Sequence, residues 1–296
     1  MTRFYLKTSL SQSYPFYYSS FKSIAGTAVV LTVAVFLFNY IIEPFSYNFE
    51  EHRFSFLIIS LFNGLLVGVV LMAFLLLLKI TIPKSFREEA WTVGKEISLW
   101  VTILLLIGIA NFFLRELIYD NPNNFSFRYL VTEVVNTFIV GSFFAVIAVM
   151  ANYIYLLRSN AKNSLKWNEL IKTPPDANKS KSRITITAQN EQDKLVFCHS
   201  DFLFAKSDGN YVEFYIKKEN GDISWEITRN TLKNVEEQFL NYKYIFKVHR
   251  SYIVNLQHVQ SVSGNAQGYK LTLSNTNIPV PVSRTYIPVL DAVLQK

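Results

Sequence analysis

Four apolar stretches, at about residues 23–42, 56–78, 97–117 and 130–157, decide most of what the first half of this chain can become. Each supplies the roughly 20 apolar residues a helix needs to cross a bilayer, where backbone N–H and C=O groups must be satisfied within the segment itself. The first is too long for the core of a secretory signal. It is followed by Glu43, Pro44 and Phe45 in place of a small-residue cleavage site, so it is expected to be retained. The predicted fold of residues 1–157 is therefore a membrane α-helical bundle of four transmembrane helices.

Lys and Arg in the short connections set the orientation. Arg3, Lys7 and Lys22 precede the first stretch, Lys79, Lys84, Arg87 and Lys95 separate the second from the third, and Arg158, Lys162, Lys166 and Lys172 follow the fourth. The other two connections hold Glu43, Glu50 and Glu51 against Arg53, and Arg115 with Arg128. Both termini are expected in the cytoplasm, and an even number of spans requires them to share one side. The expected location is the inner membrane of a bacterial cell, as a multi-pass protein.

Within the spans the polar candidates for a transport path are Asn39, Asn63, Asn111, Glu133 and Asn136. Glu133 lies about one turn inside the fourth stretch, and Arg115 with Glu116 lie at the edge of the third. Headgroup-level placement is the preferred reading over an ion pathway. Gly64 and Gly68 form a small-xxx-small pair that would seat a neighbouring helix of the same bundle. The outer connections are too short to fold into a ligand-binding domain. A signal must enter through the bundle, through these connections, or through a membrane partner protein.

After residue 157 the composition turns polar and carries most of the net charge of +7. Residues 158–183 read as a basic helical extension of the fourth span, with no sustained heptad, ended by Thr173, Pro174 and Pro175 and followed by a flexible polar run. Their charge fits anionic lipid better than nucleic acid because the run abuts a span. Cys198 is the single cysteine, which excludes an intrachain disulfide and a thiolate metal cage.

From residue 184 the apolar period becomes two, in short runs: Ile184 with Ile186, Leu195 with Phe197, Phe202 with Phe204, and then 211–216, 223–227, 259–262, 269–273 and 278–282. Turn residues separate them at 208–210, 220–222 and 264–265. A mostly β domain over 184–296 is predicted, with one helix at about 230–240 capped by Asn230 and a second short one at about 284–294.

Four pieces of this half occur together: Phe246-Lys247-Val248-His249-Arg250-Ser251-Tyr252-Ile253-Val254-Asn255, the run from Ile278 to Tyr286, Ala205 to Val212, and Thr231-Leu232-Lys233. Together they closely resemble the LytTR-type DNA-binding domain over residues 184–296. The resemblance implies an almost entirely β fold whose loops, not a recognition helix, enter successive major grooves. It also implies that Arg250, Arg284 and a loop residue matching Asn210 touch DNA. Familiar members carry a phosphorylation-receiver domain where this chain has its apolar half.

The chemistry agrees with that reading. A guanidinium at a strand end, as at Arg250 or Arg284, can pair bidentately with guanine O6 and N7. Lys206, Lys247 and Ser251 are expected phosphate contacts that fix register without reading sequence. His249 is expected to shape its loop through a backbone hydrogen bond, and Tyr252, Ile253 and Val254 to be strand residues.

The expected partners are double-stranded DNA with repeated half-sites, the lipid bilayer, a second copy of the chain as a homodimer, and a membrane protein that delivers the signal. No cofactor, metal or catalytic residue is expected. His52, His199, His249 and His258 lack metal-ligand spacing, and the chain has neither a Gly-rich phosphate loop nor a nucleophile elbow. The expected function is a membrane-anchored transcriptional regulator. Its rival is a membrane receptor whose β domain binds a protein and never reaches DNA.

Overall fold

The computed structural model describes residues 10–44, 49–171, 183–189, 193–218, 220–242 and 244–294. The chain divides into two compact units, Met1–Leu156 and Leu157–Lys296.

Among the described residues four helices build the first unit: α1 (Phe21–Ile42), α2 (Phe56–Thr81), α3 (Val93–Ile118) and α4 (Phe127–Ile171), the last continuing past Leu156 into the second unit. All four are long and apolar enough to cross a membrane, with mean hydropathy between 2.1 and 2.7 in their most apolar windows. Their outer faces are apolar: Val69 is 63% exposed and Ile139 64%. Surfaces of that kind belong against lipid, because a water-soluble protein rarely exposes so much contiguous apolar area. Small residues let the helices approach. A methyl group added at Gly64 would stand 2.7 Å from the Thr32 carbonyl of α1, and one at Gly68 would collide with the Thr32 hydroxyl. The glycine pair therefore seats α2 on α1 inside the bundle.

Each end of the bundle is tied by its connections. Tyr14 donates its N–H to the Trp91 carbonyl and Val93 to that of Gln12, while Arg53 donates to Ile118 and Asp120 to Glu51 at the other end. Beside the first of these ties, buried Glu96 accepts from the Tyr18 hydroxyl (2.8 Å) and from the indoles of Trp91 (2.7 Å) and Trp100 (3.0 Å). Three donors on one carboxylate satisfy a charge that would otherwise be costly to bury. At the other end Arg115 of α3 meets Glu133 of α4. They pair at 2.6 Å, with Arg115 only 8% exposed and its guanidinium 3.8 Å from the centre of the Tyr129 ring.

Among the described residues ten strands and two short helices follow. A five-stranded antiparallel sheet has the order β5 (Ile223–Arg229), β4 (Tyr211–Lys217), β3 (Phe202–Asp208), β7 (Tyr252–Asn255), β6 (Ile245–His249). A second sheet joins β8 (Val259–Asn265), β9 (Gly268–Leu273) and β10 (Val280–Val282), and β1 (Arg183–Thr187) pairs with β2 (Lys194–Cys198). Because side chains alternate, the five-stranded sheet buries both faces. Ile184, Phe197, Ala205, Phe214, Ile253 and Val235 of α5 (Leu232–Gln238) pack on one side. Phe204, Val254, Leu271, Val280 and Leu290 of α6 (Ile287–Leu294) pack on the other.

Local details differ from the sequence expectation where side-chain partners decide them. Helix α5 is capped by Thr231, whose hydroxyl accepts from the Asn234 N–H at 3.2 Å. Asn230 instead donates to the Thr187 carbonyl. Gly264 and Asn265 stay in β8, and the turn falls at Ala266 and Gln267 before Gly268, whose φ of +136° suits glycine. The stop expected at Thr173, Pro174 and Pro175 lies outside the described residues, as does the polar run after it.

The segment read as a basic extension has a structural task inside the second unit. Trp167 is 1% exposed in the core beside β9, its ring 4.6 Å from that of Tyr269, and its indole N–H donates to Asp291 of α6. Asn168 brackets β8, donating to the Val262 carbonyl at 2.9 Å and accepting from the Val262 N–H at 2.6 Å. Asn160 donates to Asn265, and Asn163 to the Tyr269 hydroxyl. A Cβ at Gly264 would run into the Asn160 backbone, which is why the helix can lie flat on β8.

Trp167→Ala is expected to cost about 3–5 kcal/mol, the usual loss for a buried indole. Urea unfolding of a 157–296 fragment measures it, and a 183–296 fragment should be less stable than the longer one. At the end of the domain held by β7 and β8, His258 Nε2 lies 2.7 Å from the Ser200 carbonyl, and burial holds its pKa below the usual 6.5. Neutral His258 thus contributes stability that is complete above the unfolded value and fades as pH drops through the lower folded one. The urea midpoint should fall between about pH 7.5 and about pH 5.5, and by less in His258→Gln.

Candidate nucleic-acid interface

Strand pairing gathers the predicted DNA contacts at one end of the five-stranded sheet. The β3–β4 connection is the two-residue turn Gly209-Asn210, closed by the Asp208–Tyr211 pair. Gly209 has a φ of +57° and Asn210 a negative one, the signs of a II′ turn, which takes glycine first. Strand β7 runs antiparallel to β3, so Lys206 faces Tyr252 and the Ser207 N–H donates to the Ser251 carbonyl at 3.0 Å. That register sets the Arg250-Ser251 turn beside the Asn210 turn. Tyr211 pairs with Arg229, which brings the end of β5 and the start of α5 to the same edge. The Ser283 N–H donates to the Val248 carbonyl at 2.9 Å, so the backbone of Arg284 begins its short 3₁₀ turn there too.

An open cleft at this edge is lined by Asn210, Arg229, Thr231, Lys233, Lys247 and Arg250, among others. Asn210 and Arg250 are exposed at turn tips. Among the described residues the Arg229 and Arg250 guanidiniums make no hydrogen bond or ion pair, leaving two forked donor sets turned to solvent. Arg229 and Lys233 were not picked out from the sequence. Thr231-Leu232-Lys233 was recognised as a motif, but only the β4–β5 register reveals that it stands beside Arg250.

The remaining predicted residues are placed differently. Lys247 gives its ammonium to Glu236 at 2.7 Å and is largely buried. Burial opposes its charge, but the Glu236 carboxylate and Tyr286 hold its pKa above the ordinary lysine value. Lys206 stands on the other face of the sheet, 3.8 Å from Glu213. Ser251 is half-buried in the turn. His249 accepts the Ser251 N–H on Nδ1 at 3.2 Å and meets the Tyr252 ring edge-on. The Arg284 side chain lies outside the described residues.

The arrangement suits an anion: two guanidiniums unpaired among the described residues, a lysine and a turn amide border one concave edge. The LytTr DNA-binding domain family matches residues 193–295. Residues 193–295 are a LytTR domain. Among solved structures, the LytTr DNA-binding domain of a methyl-accepting/DNA response regulator from Bacillus cereus is similar at 20% identity. It covers 40% of this chain and 100% of its own, with a TM-score of 0.30. No curated protein matches the chain.

The Lys247–Glu236 pair adds a constraint on the LytTR domain. Glu236→Gln frees the ammonium toward the cleft while keeping the side-chain shape. It is expected to strengthen nonspecific binding to duplex DNA and to steepen its salt dependence by about one phosphate contact. Anisotropy titrations over a range of salt concentrations read the slope.

Proposed function

We propose that the protein is a membrane-anchored transcriptional regulator whose LytTR domain binds promoter DNA through the turns at the cleft edge. The observation that supports it most is the meeting of Asn210, Arg229, Lys233 and Arg250 around one cleft. In this reading Asn210, Arg250 and Arg284 contact base edges, since amide and guanidinium groups match adenine and guanine in the major groove. Arg229, Lys233 and Ser251 contact phosphates, and His249 holds the Arg250 turn in shape. Lys206 and Lys247 contribute phosphate contacts only by exchanging a carboxylate for a phosphate.

In this reading both termini face the cytoplasm from the inner membrane, where DNA is within reach, and the basic connections support that orientation. Two protomers paired by their bundles would raise the effective concentration of one LytTR domain at the second of two half-sites, with no new contact to DNA. The rival reading, a β domain that docks a protein, has one observation in its favour. Strand β5 stands at one edge of the sheet, and Trp225 on it is 62% exposed.

Salt and sequence discriminate the two. A 157–296 fragment is expected to bind duplex DNA from the promoter region near its own gene, weakening steeply as salt rises. Arg250→Ala is expected to lose about tenfold in affinity and to relax preference at one base position. Equal binding by wild type and an Arg250→Ala, Arg284→Ala double variant would sink the assigned contacts. Salt-insensitive capture of a protein that Trp225→Ser abolishes would favour the rival.

A further inference from the structure

The bundle holds a half-open cavity of about 290 Å³, near the lower end of the roughly 300–1,000 Å³ usual for small-molecule pockets. Its walls are apolar, from Leu31, Val67, Leu71, Ile103 and Phe144. Its polar lining is not scattered. Asn39, Asn63, Asn111, Glu133 and Asn136, one or two from each helix, all border this one space, together with Arg115. Polar groups are expensive in hydrocarbon, so four amides and one carboxylate around a single space call for a chemical reason.

The hydrogen bonds among them leave two atoms unmet. Arg115 spends Nη1 on Glu133 and is flanked by the rings of Tyr119 and Tyr129, yet among the described residues its buried Nε–H has no acceptor. Asn111 donates to the Thr137 hydroxyl at 3.3 Å, while its buried Oδ1 accepts from nothing among the described residues. Residues 111 and 115 are four apart on α3, hence one turn apart on the same face. An unmet donor and an unmet acceptor therefore stand buried about one helical turn apart on residues that border an apolar chamber. Glu133 already neutralises Arg115, and the Glu51 carboxylate that also borders the space accepts from Asn121 at 2.9 Å, so an anion gains no charge partner there.

We propose that this cavity is a binding site for a neutral amphipathic small molecule: an apolar chain or ring ending in an amide, or another uncharged group that both accepts and donates. The carbonyl of such a group takes the Arg115 Nε–H, its N–H goes to Asn111 Oδ1, and the tail fills the space between Leu31, Val67 and Ile103. Trp100 lines the same space, which provides an internal reporter. This site is independent of the DNA-binding reading and would stand if that reading failed.

The full-length protein in lipid nanodiscs tests it, titrated with octanamide while Trp fluorescence and thermal unfolding are followed. The comparison ligands are octanoate, octylamine and N,N-dimethyloctanamide. Saturable binding of octanamide with a rise in unfolding temperature is expected. The dimethyl analogue, which cannot donate, should bind about tenfold more weakly, the scale of one buried hydrogen bond. Asn111→Leu and Arg115→Lys, the second keeping the charge opposite Glu133, should each weaken octanamide by about the same factor. Val67→Phe should block it by filling the chamber. Equal affinity for octanamide and its dimethyl analogue, or for wild type and Asn111→Leu, would show simple partition into apolar space and overturn the proposal. So would tighter binding of octanoate or octylamine, or no saturable binding at all.

Discussion

The burial of Trp167 against Tyr269 and Asp291 is the contact on which the organisation of this molecule turns. Without it, residues 157–171 would be a polar helical tail after a membrane span. With it, the tail becomes a wall of the LytTR domain's core, and one helix, α4, supplies both a lipid-compatible segment and a domain-building one. Two further features make the seating possible. Gly264 removes the side chain that would hold the helix away from β8, and the carbonyl and amide of Val262 are both satisfied by Asn168. A backbone pair bracketed by one side-chain amide fixes register along the strand as well as affinity, because a shift by one residue would present side chains of the opposite face.

The membrane half was the more legible one. Long apolar runs admit few structures in hydrocarbon, so the four helices, and Gly64 with Gly68 as their seat, could be read directly. What could not be read was the convergence of its polar residues. Arg115 and Glu133 each sit near a span end and suggest headgroups when taken singly. Their pairing depends on the rotation of α3 against α4, and hydropathy carries no information about that rotation.

In the LytTR domain, alternation and turn residues gave the strands because one-sided burial imposes a period of two. Errors arose where a local rule competed with tertiary contact. Asn230 is as good a cap as Thr231 by propensity, but its side chain is taken by the Thr187 carbonyl. Gly264-Asn265 has turn chemistry, but the glycine is needed for a helix to pass. The cleft was visible only in part. Arg250 and Asn210 stood out by motif, whereas Arg229 entered through its pairing with Tyr211, a relation that strand register creates and sequence spacing does not express. Trp167 gave no periodic signal because a single large side chain makes the contact.

The docking of residues 157–171 also bears on what a break in the chain could do. A nick anywhere between Ile171 and Arg183 would cut the covalent path from bundle to sheet, yet Trp167 and the three asparagines would still grip the β8–β9 hairpin. The severed domain would remain leashed to the bilayer by non-covalent contact, much as a split protein stays assembled after cleavage. Release from the membrane would require either a cut on the membrane side of Leu157 or prior unfolding.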